Sequence, residues 1–73
     1  MTGNTLELYW DATYAIALAL IDEFPDQRPE DVGLVELLHL VERLPGFQDD
    51  PAVVSEQTLL DILNVWYEET ANP

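Results

Sequence analysis

Between Leu44 and Pro51 the chain reads Leu-Pro-Gly-Phe-Gln-Asp-Asp-Pro, and no continuous helix or strand passes through such a run. Pro45 removes a backbone donor and Gly46 relaxes the chain, so the helical pattern before them must stop. Asp50 followed by Pro51 prepares the start of the next element. Phe47 is the single apolar side chain between these breakers, and it is expected to plug the loop into the core. Asp49 and Asp50 are then expected to stand out on a short, anchored turn that presents carboxylates.

On either side of this loop the apolar residues keep helical spacing. Leu37, Leu40, Val41 and Leu44 recur at i, i+3, i+4 and i+7, which predicts a helix from about Val35 to Leu44. After the loop, Leu59, Ile62, Leu63 and Trp66 form the inward stripe of a helix from about Ser55 to Glu69, with Ser55 as N-cap and Glu56 in its first turn. Earlier in the chain, the alanine-, leucine- and isoleucine-rich run from Ala12 to about Phe24 predicts another helix, which Pro25 stops. Asp11 is its expected N-cap, and Trp10 is expected to fold back on it as a hydrophobic staple. Ile16, Leu20 and Phe24 should face the core, whereas Tyr14, Leu18 and Ile21 lie off that line. This first helix is more apolar than one buried stripe needs, so it is covered on two sides or carries a docking surface. Arg28 must be extended ahead of Pro29, and at most a short extended piece follows near Val32–Leu34. The expectation is a mainly α fold: a compact three-helix domain spanning residues 8–70, with a frayed lead-in over 1–7 and a tail over 71–73.

Charge narrows the functional classes. Fifteen acids against Arg28 and Arg43 leave a formal net charge of −13 on 73 residues. Such self-repulsion opposes compaction, yet 48% of the residues are hydrophobic and periodically placed, so a folded acidic domain is expected rather than disorder. Nucleic acid is excluded as a direct partner, because phosphate binding rests on Lys and Arg displacing counterions. A basic protein surface or a cation is the natural counterpart. Cysteine is absent, which rules out disulfides and thiolate metal sites. The longest apolar run, Tyr14 to Ile21, has eight residues, well short of the ~18 that suggest a membrane span. The first residues lack the basic region of a signal peptide, so a cytoplasmic monomer is expected.

Catalytic chemistry finds little support. His39 is the sole histidine, and Glu36, Glu42 and Arg43 share its helix surface, which reads as ordinary solvent-facing company. No nucleophile–base pair and no glycine-rich phosphate loop is present, so an enzyme is not expected. Carboxylates remain. Many acids do no more than keep a soluble protein solvated, but Asp22 and Glu23, like Glu68 and Glu69, fall in the last turns of their helices, where negative charge opposes the macrodipole. Asp22, Asp26, Glu30 and Asp31 crowd one corner of the sequence, with Asp49 and Asp50 in the other loop. Asp22, Asp26, Asp49 and Asp50 are the candidate metal ligands, hard oxygens suited to Ca²⁺, Mg²⁺, Mn²⁺ or Fe²⁺ in an open, weak site unlike an EF-hand.

The ordered set of residues also carries a resemblance. Trp10, Ile16, Ala19-Leu20, Asp22, Phe24-Pro25-Asp26, Pro29 and Val32 are followed by Leu44, Phe47 with Asp49-Asp50-Pro51, Glu56, Leu59, Ile62, Val65-Trp66 and Glu68-Glu69. From Leu8 to Glu69 this resembles the IscX family, the small acidic proteins of bacterial iron–sulphur cluster assembly operons. The resemblance implies a helical fold related to the winged helix. It implies an adaptor or regulator that binds the cysteine desulfurase IscS through an acidic face, on a basic surface also used by frataxin. It further implies weak Fe²⁺ or Fe³⁺ binding with no tightly held cofactor. The partner-binding positions it singles out are Asp22, Asp26, Glu36, Asp49, Asp50, Glu56, Glu68 and Glu69. Departures from the family pattern are Ala12, where an acid usually stands two positions after the tryptophan, Ala15 and Leu18 in helix 1, and Pro45-Gly46 with Gln48 in the loop. They thin the acidic face, and they weaken the case for iron more than the case for a protein partner. Two other readings stay open: an iron donor or sensor, and a helical interaction module using the apolar surplus of helix 1.

Overall fold

A computed structural model describes residues 7–71 of the chain, so the lead-in and tail expected at its ends lie almost wholly outside the described residues. Three α-helices follow in order, α1 over Thr13–Glu23, α2 over Leu34–Glu42 and α3 over Glu56–Ala71. Short 3-10 turns at Pro29–Asp31 and Pro51–Val53 precede α2 and α3. The mainly α class is as expected. The two 3-10 turns were not anticipated, although each opens on a proline whose missing N–H suits the first position of such a turn.

The expected stripes are the core. Ile16 and Leu20 from α1, Leu37 and Val41 from α2, and Ile62 and Trp66 from α3 are completely sheltered from solvent. Leu40, Leu44 and Leu59 join them, and among the described residues no polar or charged side chain is buried. Helix α1 packs chiefly on α3 and less on α2. Ala17 is buried with Ile16 and Leu20, while Ala15, Ala19, Ile21 and Phe24 pack partly against the same core. The partial cover of Ala15, Ala19 and Ile21 beside the buried Ile16, Ala17 and Leu20 accounts for much of the apolar surplus. Tyr14 and Leu18 stay outside, 56% and 40% exposed.

The ends follow local chemistry. Phe24 N–H closes α1 onto Leu20 O at 2.9 Å, and Pro25 cannot extend it. Arg28 is extended (φ −112°, ψ 124°), as its proline neighbour demands. Val32 and Gly33 are extended too, but Leu34 already belongs to α2, which therefore begins one residue earlier than the periodicity predicts. Arg43 and Leu44 leave the helical ladder through i−3 bonds to Leu40 and Val41. The chain then turns at Gly46 (φ 90°), a backbone region open to glycine at little cost, with Phe47 N–H reaching Leu44 O at 3.2 Å. Ser55 caps α3 as expected, its Oγ accepting from Thr58 N–H at 3.1 Å.

The start of α1 departs from expectation. Asp11 is not the N-cap. A turn closed by Ala12 N–H to Tyr9 O at 2.9 Å leaves Asp11 exposed one residue too early, and Ala12 occupies the cap position without a side-chain bond. Trp10 is buried in the same core as Ile16, Ala17 and Leu20 of α1. It is drawn to the Phe47 loop, where Leu8 forms an isolated parallel bridge with Phe47. Leu8 N–H donates to Gly46 O at 2.8 Å and Gln48 N–H to Leu8 O at 2.9 Å.

Candidate protein-docking surface

The Phe47 loop is held by more than its aromatic plug. Phe47 is half-buried and meets the Trp10 ring edge-on, centroids 4.8 Å apart. Trp10 Nε1–H donates to Asp50 O at 2.8 Å. Asp49 is turned inward rather than held out: Oδ2 accepts from Trp10 N–H at 3.0 Å and Oδ1 from Asp50 N–H at 2.8 Å. Asp50 is exposed, but its Oδ1 accepts from Ala52 N–H at 2.9 Å and so caps the 3-10 turn. Both carboxylates therefore shape the loop before they offer anything to a partner. The Asp-Pro pair at 50–51 signals the second role, since aspartate at the cap and proline just inside is a familiar helix opening. The first role joins residues far apart in the chain, and local pattern carries no sign of it.

The remaining predicted acids sit on the outside. Asp22 and Glu23 end α1, and Asp26 is exposed in the turn after it. Glu36 and Glu56 occupy the first turns of α2 and α3, where negative charge complements the helix dipole. Glu68 and Glu69 lie near the end of α3; Glu68 is exposed and Glu69 half-buried. Glu69 Oε1 accepts from Tyr14 Oη–H at 3.5 Å, which brings the start of α1 beside the end of α3. His39 is exposed on α2. Among the described residues, no three of the His, Asp and Glu side chains gather as a metal ion requires, so Asp22 and Asp26 do not join Asp49 and Asp50 in one cluster.

Neither cation of the chain offsets this surface at large. Arg28 bonds Glu30 at 2.8 Å and lies 4.0 Å from Asp31, all within one turn of chain. The guanidinium bond holds the Glu30 carboxyl below its usual range. Arg43 stands over the Phe24 ring, 5.6 Å from its centroid. At the other end, the negative charge of Glu7 and the bond it accepts raise the Tyr9 hydroxyl above the ordinary phenol range.

A shallow groove of about 410 Å³ opens between α2 and the segment leading into α3. Leu34, Val35 and Leu38 face Pro51, Val54 and Leu59 across it, and Glu56 lines it as well. Val35, at 71% exposure, lies off the buried stripe of α2 and was not singled out by its spacing. No helix among the described residues is long and apolar enough to cross a membrane.

Two comparisons bear on this surface. A family model described as iron-sulphur cluster assembly matches residues 8–71. A protein of Pseudomonas aeruginosa, described only as uncharacterized, is 36% identical over 64 residues, covering 88% of this chain and 97% of its own length.

Proposed function

The chain belongs to the IscX family of iron–sulphur cluster assembly, and from that premise we propose that it is an acidic adaptor that docks on a basic face of the cysteine desulfurase and regulates sulphur delivery without catalysing a step itself. The observation that carries this reading is the unbalanced charge. The net value is −13, and both arginines are engaged within the chain, one by its neighbours Glu30 and Asp31 and the other by Phe24. Carboxylates at the ends of α1 and α3 gain nothing from their own helices, since they oppose the macrodipole there. Against a cationic surface the same charges attract over a Debye length and accelerate encounter. Asp22, Asp26, Glu36, Glu56, Glu68 and Glu69 supply that attraction from the surface, and Asp49 and Asp50 hold the loop in shape.

The test is a titration of the cysteine desulfurase IscS at rising ionic strength. Affinity should fall steeply with salt, mostly through the association rate. Asp22→Asn and Glu36→Gln, both exposed, should each lower that slope without unfolding the protein. An affinity indifferent to salt would refute the reading.

A further inference from the structure

Opposite charge brings two proteins together quickly but leaves their relative orientation loosely fixed; a defined complex needs an apolar anchor surrounded by polar contacts. The groove beside α2 has that form. Leu34 and Leu38, one helical turn apart, make a half-buried row packed partly against the core, and Pro51, Val54 and the core residue Leu59 line the groove with them. Val35 on the α2 side is 71% exposed, and Ala52 on the other side is exposed as well. One acid, Glu56, lines the groove, and two exposed acids, Glu36 and Asp50, are the chain neighbours of the lining residues Val35 and Pro51. We infer that this groove seats an aliphatic side chain from a protein segment that carries Lys or Arg on both flanks, and so sets the orientation of the docked partner. This rests on the adaptor reading and assigns part of its interface.

The occupant follows from charge. An apolar segment without cations would leave Glu36, Asp50 and Glu56 facing low-dielectric surface, whereas flanking lysines or arginines keep them paired. A second copy of this chain is disfavoured, since a two-fold pair would set the same acids against one another. The groove is also narrow beside the roughly 800 Å² per partner of a stable interface, so it anchors a larger contact rather than forming one alone.

The test uses the variant Val35→Ser, whose side chain lines the groove and lies outside the core, with circular-dichroism melting to verify the fold. Its dissociation constant for IscS should rise about fivefold, equally at low and high salt, leaving the slope of log Kd against log salt unchanged. Glu36→Gln/Glu56→Gln should instead flatten that slope. Unchanged affinity of the valine variant at every salt concentration overturns the groove assignment while the acidic adaptor reading stands. Sedimentation in which wild type self-associates and the valine variant does not gives the groove to a second copy and overturns it as well. Wild-type protein that fails to bind IscS at any salt removes both readings.

Discussion

Asp49→Ala offers the sharpest test of the loop. In most of this chain, deleting an acid should help, because each one removed relieves a repulsive surplus. At Asp49 the sign reverses. Its carboxylate accepts from the part-buried Trp10 N–H at 3.0 Å and from the exposed Asp50 N–H at 2.8 Å. Hydrogen bonds to a charged group contribute about 1.5–3 kcal/mol net. Water can replace the acceptor for Asp50, so most of the loss comes from Trp10. Relief of charge repulsion offsets a few tenths of a kcal/mol, leaving a net cost of about 2 kcal/mol. For a domain this size that lowers the Tm by about 8–16 °C. Asp49→Asn keeps an oxygen acceptor and should lose about half as much. Asp22→Asn, at the end of α1, should gain about 0.3–1 kcal/mol through the helix dipole. Thermal unfolding followed by far-ultraviolet circular dichroism in one buffer ranks the three. If Asp49→Ala melts at or above wild type, alongside Asp22→Asn, the carboxylate does not hold the loop and the reasoning fails.

Other expectations follow from the same geometry. Gly46→Ala must adopt φ near 90° and should destabilise by about 1–2 kcal/mol, measured by urea unfolding; a neutral result would show that the turn relaxes. Gly33 caps α2 at φ −78° with open space where a Cβ would stand, so Gly33→Ser should form a capping box with Glu36 and raise stability by about 0.5–1 kcal/mol. The Glu30 carboxyl is depressed in the folded protein, so its bond to Arg28 stabilises above the usual glutamate pKa and is lost as pH falls through the lower folded value. The Tm gap between wild type and Glu30→Gln should accordingly be present at neutral pH and close in strong acid, and a gap that widens on acidification would contradict the pairing.

What could be read directly from the chain was what repeats within a few residues. The i, i+3, i+4, i+7 stripe from Leu37 to Leu44 is buried as its spacing requires, Pro25 ends α1, and Ser55 caps α3. Periodicity reports on a helix and its own neighbours. It says nothing of pairs such as Trp10 with Asp49 and Asp50, which lie 39 and 40 residues apart. For that reason Asp11 looked like the cap of α1: its local context is good, and only the distant loop moves the turn by a residue. The same gap in local information hides that both oxygens of Asp49 accept from backbone N–H groups, whereas Asp50 stands exposed as expected with one oxygen capping the turn. In helix 1 the sequence left two options, a second cover or a docking face. Ala15, Ala19 and Ile21 are partly covered by the core, which gives the second cover, while Tyr14 and Leu18 stay exposed.

The two tryptophans belong to one hydrophobic core but are held differently. Trp66 is 1% exposed within the helical core, whereas Trp10, at 8%, is tied to the loop through its indole N–H. In a Trp66→Phe background, emission from the remaining indole would therefore follow opening of that loop while the helices stay intact. A label-free optical signal for that loop is thus built into the protein, and its colour shift would separate a local rearrangement from global melting.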